Sequence, residues 1–262
     1  MPVLGLGTFQ SETGKQTQDA VRWALEAGYR HIDTAAIYRN EQDVGIAIRD
    51  SGIPREQVFI TTKVWNGSQG YETTLRAYDE SLKRLGLEYI DLFLIHWPIK
   101  GTRQETWRAL VRLFEEGGCR AVGVSNYTVR HLKELLADSP MIPSVNQFEI
   151  SPFNTRQALV AFCQEKGIQV ESYSPLVRGK KLDAPVLSRL ARKYGKSPAQ
   201  ILIRWGLENR FVVIPKSVRP ERIIENANVF DFSIAAEDMQ MLDGLNENLH
   251  TINPPWMAGE WD

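Results

Sequence analysis

Cysteine is scarce in this sequence, in which Cys119 and Cys163 are the only two among 262 residues. They do not form a CxxC pair, so a zinc ribbon and a thioredoxin-like redox motif are excluded. Two thiols without a pairing motif are typical of a protein in a reducing compartment, although the sequence leaves a single disulfide between them open. We therefore expect a cytoplasmic protein.

The sequence also has no excess of one charge and no long apolar run. Lys and Arg together number 31 and Asp and Glu 32, which gives a formal net charge of −1. This balance argues against a nucleic-acid-binding protein that depends on general electrostatics, and against a polybasic membrane surface. No uncharged apolar run reaches about 18 residues, and Met1–Gln10 lacks the regions of a signal peptide. We expect a soluble protein with neither nucleic acid nor membrane as partner.

Several functional motifs begin in this sequence but are not completed. A dinucleotide-binding GxGxxG that starts at Gly5 has Gln10 where the third glycine belongs. A nucleophile elbow around Ser125 has Tyr127 in place of its last glycine. The histidines share no metal-ligand spacing, and HExxH is missing, so we expect no metal site.

Eight short apolar runs rich in β-branched residues recur along the chain. Their spacing is mostly about 30 residues, the length of one strand and one crossover helix. The runs are Val3–Leu6, His31–Thr34, Val58–Val64, Ile90–Ile95, Ala121–Val124, Val145–Ile150, Ile168–Tyr173 and Phe211–Ile214. This α/β alternation predicts a parallel sheet closed into a (β/α)8 TIM barrel, with an open doubly wound sheet as the alternative.

Between these runs the apolar residues recur at helical spacing, which predicts core-facing helices. One stripe runs from Trp107 to Phe114, and Ile223 and Ile224 mark a short helix after the eighth run. Ser197 stands at an expected N-cap, directly before a proline at the first helical position.

The C-terminal part of the chain extends beyond the eighth unit. An extra helix is predicted over Asp238–Leu245, and the tail from Asn246 is predicted to be a loop over one face of the barrel. No shift in composition divides the chain, so we expect residues 1–262 to form a single domain.

Catalytic side chains of such a barrel lie where the strands end and the loops begin. Nearly every apolar run of this sequence ends in, or contains, a reactive or hydrogen-bonding side chain. From the second run to the eighth these residues are Asp33, Tyr38, Lys63, His96, Trp97, Ser125, Asn126, Gln147, Tyr173, Lys216 and Ser217. Taken singly, Asp33 could be a cap, Tyr38 a half-buried loop residue and Lys63 a surface cation. Their joint occurrence favours a common site.

Seven short segments carry these residues in a distinctive order and spacing. They are GYRHIDTAAIY at 28–38, TKVW at 62–65, DLFLIHWP at 91–98, GVSN at 123–126, NQ at 146–147, YSPL at 173–176 and IPKS at 214–217. Over about residues 3 to 245 the chain resembles the aldo-keto reductases. Within that family it is most similar to bacterial reductases of 2,5-diketogluconate and methylglyoxal.

The resemblance implies reduction of aldehydes and ketones by hydride transfer from NADPH. Tyr38 is then the general acid, and a nearby Lys63 ammonium should lower the pKa of its hydroxyl. Asp33 is expected to pair with Lys63, and His96 to hydrogen-bond the substrate carbonyl.

The resemblance also implies which residues bind the cofactor and the substrate. Those expected at the nicotinamide are Ser125, Asn126, Gln147 and Tyr173. Those expected at the phosphates and adenine are Leu176, Lys216, Ser217, Arg222, Glu225 and Asn226. Two cations near one phosphate favour NADPH over NADH. Phe9, Trp65 and Trp97 should line an aromatic substrate pocket, with Trp256 of the tail over its mouth.

Two other functions remain open at this point. Lys63 could be a Schiff-base nucleophile in an aldolase-type barrel, or the protein could be a non-enzymatic NADP(H)-sensing module. The near-zero net charge and short loops give no sign of an obligate dimer. We therefore expect a monomer whose partner is a small carbonyl substrate. We also expect no β-hairpin before the first strand, where many relatives have one, because Met1 is so close to that strand.

Overall fold

A computed structural model describes residues 1–260; Trp261 and Asp262, the last two positions of the predicted domain, lie outside the described residues. Eight strands form one parallel sheet in which each strand pairs with its neighbour in sequence. The strands are β1 (Leu6–Gly7), β2 (His31–Asp33), β3 (Phe59–Val64), β4 (Ile90–Ile95), β5 (Cys119–Ser125), β6 (Val145–Glu149), β7 (Gln169–Tyr173) and β8 (Val212–Val213).

The sheet closes on itself between its first and last strands. The Gly5 N–H donates to the Val213 carbonyl at 2.9 Å, and the Gly7 N–H donates to the Pro215 carbonyl at 3.1 Å. Parallel bridges also join Leu4 to Val213 and Gly7 to Lys216. The predicted (β/α)8 barrel is therefore confirmed, and the doubly wound alternative is excluded. The first strand begins later than predicted, because the residues before Leu6 pair with the last strand and not with β2.

Helices lie between successive strands and after the last strand, as the α/β pattern predicts. Within residues 1–260 they are α1 (Lys15–Glu26), α2 (Glu41–Asp50), α3 (Tyr71–Leu85), α4 (Arg103–Glu115), α5 (Val129–Asp138), α6 (Gln157–Glu165), α7 (Pro185–Tyr194), α8 (Pro198–Glu208), α9 (Pro220–Ala227) and α10 (Ala236–Asp243). Two of them, α7 and α8, separate β7 from β8, which accounts for the long last interval between apolar runs. The extra helix α10 begins two residues earlier than predicted.

The start of α8 follows directly from its sequence. The Ser197 hydroxyl accepts a hydrogen bond from the Gln200 N–H, and the Gln200 side chain accepts one from the Ser197 N–H. Pro198 occupies the first helical position, where a missing N–H costs nothing. This capping box confirms the predicted N-cap.

Two residues predicted to face the core are exposed. Phe114 is 40% exposed and Ile224 is 51% exposed. In each case a neighbour in the same helix turn, Leu113 or Ile223, takes the buried position. Since adjacent helical residues point about 100° apart, only one of two can face the barrel.

Both cysteines are buried and free. Among residues 1–260, no helix is long and apolar enough to cross a membrane. Alternate residues of each strand point into the barrel, and some of these side chains are polar. The fully buried His31, Lys63 and Glu171 lie there.

Candidate active site

A cavity of about 600 Å³ opens at the carboxyl ends of the strands, within the usual size of a ligand site. Every strand supplies a wall residue, either from the strand itself or from the loop after it. The polar and charged side chains that line it are Gln10, Asp33, Tyr38, His96, Ser125, Asn126, Gln147, Tyr173, Ser174, Arg178, Lys216 and Arg222. Most of the strand-end residues identified in the sequence therefore line one cavity at this rim of the barrel, whereas Lys63 and Ser217 do not.

Lys63 lies behind this wall and pairs with Asp33. Its ammonium donates to both carboxylate oxygens of Asp33 at 2.7 Å and to the Thr34 carbonyl at 2.8 Å. The Lys63 side chain is fully buried, so these hydrogen bonds replace the bonds to water that the ammonium loses on burial. Asp33 reaches the cavity, whereas Lys63 does not.

Tyr38 ends a short 3-10 turn after β2, and its ring lines the cavity. The Lys63 ammonium lies 5.3 Å from the centre of this ring. Burial, and then the charge of Asp33, raise the pKa of the Tyr38 hydroxyl well above its usual value. The net lowering of this pKa that was expected from Lys63 is not found, because burial and the charge of Asp33 raise it. The phenol therefore carries its proton and can donate it to a ligand.

His96 follows β4 and faces Tyr38 edge-on, with the ring centres 5.7 Å apart. Burial, and then the charge of Lys63, lower the pKa of His96 well below its usual value, so the imidazole is neutral. Its Nδ1 is buried without a hydrogen-bond partner in the described part of the chain. Because Nδ1 is buried, Nε2 is the nitrogen that can hydrogen-bond a molecule in the cavity.

Ser125, Asn126 and Tyr173 form a connected group on the part of the wall next to His96. The Tyr173 hydroxyl donates to the Asn126 carboxamide oxygen at 2.8 Å. The Asn126 amide donates to the Ser125 hydroxyl and to the His96 carbonyl, both at 3.0 Å. Asn126 has a φ of +63°, a conformation that asparagine tolerates better than most residues. These bonds fix the aromatic ring beside a set of amide and hydroxyl groups.

Gln147, on β6, lies at the floor of the cavity between two carboxyl groups. Its Nε2 donates to Asp33 at 2.8 Å and to Glu171 at 3.0 Å. Glu171 is fully buried below the cavity and does not line it. Gln147 therefore connects the Asp33–Lys63 pair to a second buried carboxyl.

Positive charge is concentrated at the other end of the cavity. Lys216 and Arg222 line it together with Leu176 and with Arg178, which the sequence analysis missed. Arg178 donates to the Gln10 side chain at 2.7 Å, which joins the loops after β1 and β7. This end is suited to an anionic group such as a phosphate.

Three of the predicted phosphate and adenine residues do not line the cavity. Ser217 follows β8, and its hydroxyl accepts from the Arg219 N–H at 3.2 Å. Glu225 and Asn226 lie on α9, one turn after Arg222, and Asn226 is buried. They lie next to the cationic end without forming its wall.

The remaining wall is aromatic. Phe9, Trp65 and Trp97 all line the cavity, with Phe9 5.1 Å from the Tyr38 ring and Trp65 5.2 Å from the His96 ring. Trp256 of the tail packs edge-on against Trp65 at 5.9 Å and Trp97 at 6.0 Å. The tail therefore covers this side of the cavity, where the sequence analysis placed it.

Glu149, the last residue of β6, is hydrogen-bonded to the tail. Its carboxylate accepts hydrogen bonds from the Thr251 N–H at 2.9 Å, from the Thr251 hydroxyl, and from the Ile252 N–H at 3.3 Å. Neither Glu149 nor Glu171 was singled out from the sequence. Strand alternation is the signal that could have found them, because Glu149 lies two residues after Gln147 and Glu171 two before Tyr173.

Comparisons with known proteins agree with this geometry. A model of the aldo/keto reductase family matches residues 3–247. The chain is 52% identical over 248 residues to a glyoxal reductase of Bacillus subtilis (strain 168), covering 95% of this chain and 90% of that protein. It is 51% identical over 251 residues to a 9,11-endoperoxide prostaglandin H2 reductase of Trypanosoma cruzi (strain CL Brener), covering 95% and 89%.

The fold of this chain is also similar to solved structures. An aldo-keto reductase from a Medee basin deep-sea metagenome library superposes with a TM-score of 0.94 at 47% identity, covering 97% of this chain and 94% of that one. A Bombyx mori aldo-keto reductase in complex with NADP superposes with a TM-score of 0.93 at 38% identity, covering 98% and 93%.

Proposed function

Since the chain belongs to the aldo/keto reductase family and is an NADP-dependent oxidoreductase acting on carbonyl groups, we propose that it reduces small aldehydes and ketones with NADPH and a proton from Tyr38. The observation that carries the proposal is the joint placement of a protonated phenol, a neutral imidazole and a buried Asp33–Lys63 pair beside one cavity. This set can orient a carbonyl and protonate its oxygen.

The residues of the cavity fit a nicotinamide dinucleotide along its length. Ser125, Asn126 and Gln147 present amide and hydroxyl groups beside the Tyr173 ring, which suits a carboxamide and a stacked aromatic ring. Lys216 and Arg222 stand at the far end, where a 2′-phosphate requires cations. In the proposed arrangement Leu176 lies beside the pyrophosphate, Ser217 assists at the 2′-phosphate, and Glu225 and Asn226 lie beside the adenine.

When bound, NADPH supplies the hydride that reaches the carbonyl carbon. His96 donates from Nε2 to the carbonyl oxygen and holds the carbon in line for attack. Tyr38 then transfers its hydroxyl proton to the oxygen, which becomes the alcohol. The Lys63 ammonium, held by Asp33, stabilises the phenolate that remains until solvent returns a proton.

The cavity walls favour small uncharged substrates. Phe9, Trp65, Trp97 and Trp256 surround the reacting groups, and they exclude water from the path of the hydride. The cations among the described lining residues are Arg178, Lys216 and Arg222, which stand at the phosphate end. Methylglyoxal and glyoxal should therefore be better substrates than 2,5-diketogluconate, which carries a carboxylate.

The aldolase alternative does not fit Lys63. A Schiff-base lysine must reach the substrate with a free amine, whereas this ammonium is fully buried and hydrogen-bonded to Asp33 and Thr34. A cofactor sensor without catalysis would have no need of Tyr38 and His96 beside the same cavity. Both observations favour the reductase.

The test is a panel of carbonyl compounds assayed for NADPH consumption, with NADH in parallel. We expect methylglyoxal and glyoxal to be reduced with NADPH, and kcat/KM to be lower with 2,5-diketogluconate and with NADH. Absence of NADPH oxidation with every compound, or borohydride trapping of substrate on Lys63, would reject the proposal.

A further inference from the structure

Glu171 takes no part in the reaction proposed above, yet its position in the barrel is closely determined. It lies in the middle of β7, directly opposite Gln147 in the register of β6 and β7. Because strand residues alternate, Glu171 lies on the same face as Tyr173 and one layer deeper in the barrel. Its side chain is fully buried.

The contact between Glu171 and Gln147 fixes the orientation of an amide. Both N–H groups of the Gln147 amide are used, one by Asp33 at 2.8 Å and one by Glu171 at 3.0 Å. The reverse orientation would direct the amide oxygen at two carboxyl groups, which is repulsive unless one of them turns to donate. Gln147 lines the cavity, and its Oε1 forms no hydrogen bond within residues 1–260.

We infer that Glu171 is a positioning residue that holds the Gln147 amide with its carbonyl oxygen toward the cavity, where it can accept a hydrogen bond from the carboxamide of a nicotinamide cofactor. This inference rests on the proposed function, because it requires Gln147 to bind the nicotinamide. A preset acceptor saves the entropy of ordering the amide when the cofactor binds.

The charges around Glu171 are consistent with this role. Burial, and then the charge of Asp33, raise the pKa of Glu171 to about 8, so the carboxyl is neutral at neutral pH. A neutral carboxyl still accepts through its carbonyl oxygen, and it adds no second negative charge beside Asp33. The other Glu171 oxygen lies 3.6 Å from the Nε2 of His31, whose pKa burial lowers to about 3.

Two substitutions separate positioning from mere packing. Glu171→Gln keeps a carbonyl acceptor opposite Gln147 in a neutral side chain of the same shape. Glu171→Met keeps most of the volume but removes the acceptor. Ser172→Ala is the matched control, because Ser172 is the next residue of β7 and its hydroxyl donates to the Ile150 carbonyl on the other face.

The experiment measures binding of NADPH and of adenosine 2′,5′-bisphosphate, which lacks the nicotinamide, to each purified variant. We expect Glu171→Met to raise the Kd of NADPH by about 3- to 10-fold, the cost of one lost hydrogen bond, and to leave the bisphosphate Kd unchanged. Glu171→Gln and Ser172→Ala should stay within about twofold of wild type for both ligands. Unchanged bisphosphate binding also shows that the variant is folded.

A second arm tests whether the effect passes through Gln147. In a Gln147→Ala background, Glu171→Met should cause no additional loss of NADPH affinity, because the amide it positions is gone. An equal loss in both backgrounds, a loss shared by the bisphosphate, or unchanged NADPH binding in Glu171→Met would overturn the inference. If the wild-type protein itself does not bind NADPH, the proposed function fails first.

Discussion

Asp33 and Lys63 form an ion pair inside the barrel, with the ammonium 2.7 Å from both carboxylate oxygens. The two residues lie on the neighbouring strands β2 and β3, and both side chains are buried. The pair brings charge close to Tyr38 and His96 without exposing the ammonium to the cavity. Burial, and then the charge of Lys63, lower the pKa of His96, while burial, and then the charge of Asp33, raise the pKa of Tyr38.

Removal of one partner of this pair should destabilise the fold. In Lys63→Met, Asp33 is left buried without a counter-ion, so we expect a loss of about 3–5 kcal/mol in the free energy of unfolding. The double variant with Asp33→Asn should recover much of it. Denaturant unfolding measures both. Lys15→Met, which removes an exposed pair with Asp19, is the control and should change stability by less than about 1 kcal/mol. A single variant as stable as this control would contradict the prediction.

Glu149 should control substrate binding through the tail. In Glu149→Ala the bonds to Thr251 and Ile252 are lost, so Trp256 is no longer held against Trp65. We expect KM for methylglyoxal to rise by about 3- to 10-fold, while KM for NADPH stays the same. Steady-state kinetics with each substrate varied in turn measures this split. Trp256→Ala should give the same split, and an equal change in both KM values would show that Glu149 does not act through the tail.

Glu171 should give the fold a pH dependence of its own. Its pKa is raised from 4.5 to about 8, so the folded chain keeps a proton that the unfolded chain releases. This contribution to stability is complete below about pH 4.5 and is lost as the pH rises through about 8. The difference in Tm between wild type and Glu171→Gln should therefore shift against the wild type as the pH rises over this range. Thermal melts that stay parallel at every pH would show that Glu171 does not titrate there.

Cofactor preference should depend on the cationic end of the cavity. Arg222→Ala and Lys216→Ala remove charges beside the proposed 2′-phosphate, so KM for NADPH should rise by about tenfold while KM for NADH stays nearly constant. Arg219→Ala is the matched control, because Arg219 is the N-cap residue of the same helix but does not line the cavity. Parallel kinetics with both cofactors makes the comparison, and equal effects on NADPH and NADH would refute a 2′-phosphate site.

The features that could be predicted from the sequence are those that strand spacing and strand ends determine, namely the fold and several residues of the cavity. Spacing of the apolar runs predicted the barrel, and the residues at or after the ends of those runs predicted Asp33, Tyr38 and His96 at one cavity. Glu171 was missed because it lies one layer below the strand ends. Arg178 was missed because its contact with Gln10 depends on a loop in which Arg178 has a φ of +53°, which no residue pattern indicates.

Electrostatics was harder to predict than position. A lysine close to a tyrosine suggested a lowered pKa, but burial and Asp33 outweigh that effect on Tyr38. Which of these effects is larger depends on the depth of the phenol and the direction of the ammonium, and neither is visible in the order of residues.

The most direct test of the mechanism is single-turnover reduction of methylglyoxal by Tyr38→Phe saturated with NADPH. Loss of the proton donor should slow hydride transfer by about 10²- to 10⁴-fold, while the Kd of NADPH changes by less than about twofold. Tyr71→Phe, which removes a hydroxyl on α3 outside the cavity, should behave as wild type. If Tyr38→Phe transfers hydride at the wild-type rate, the proton does not come from Tyr38 and the proposed chemistry is wrong.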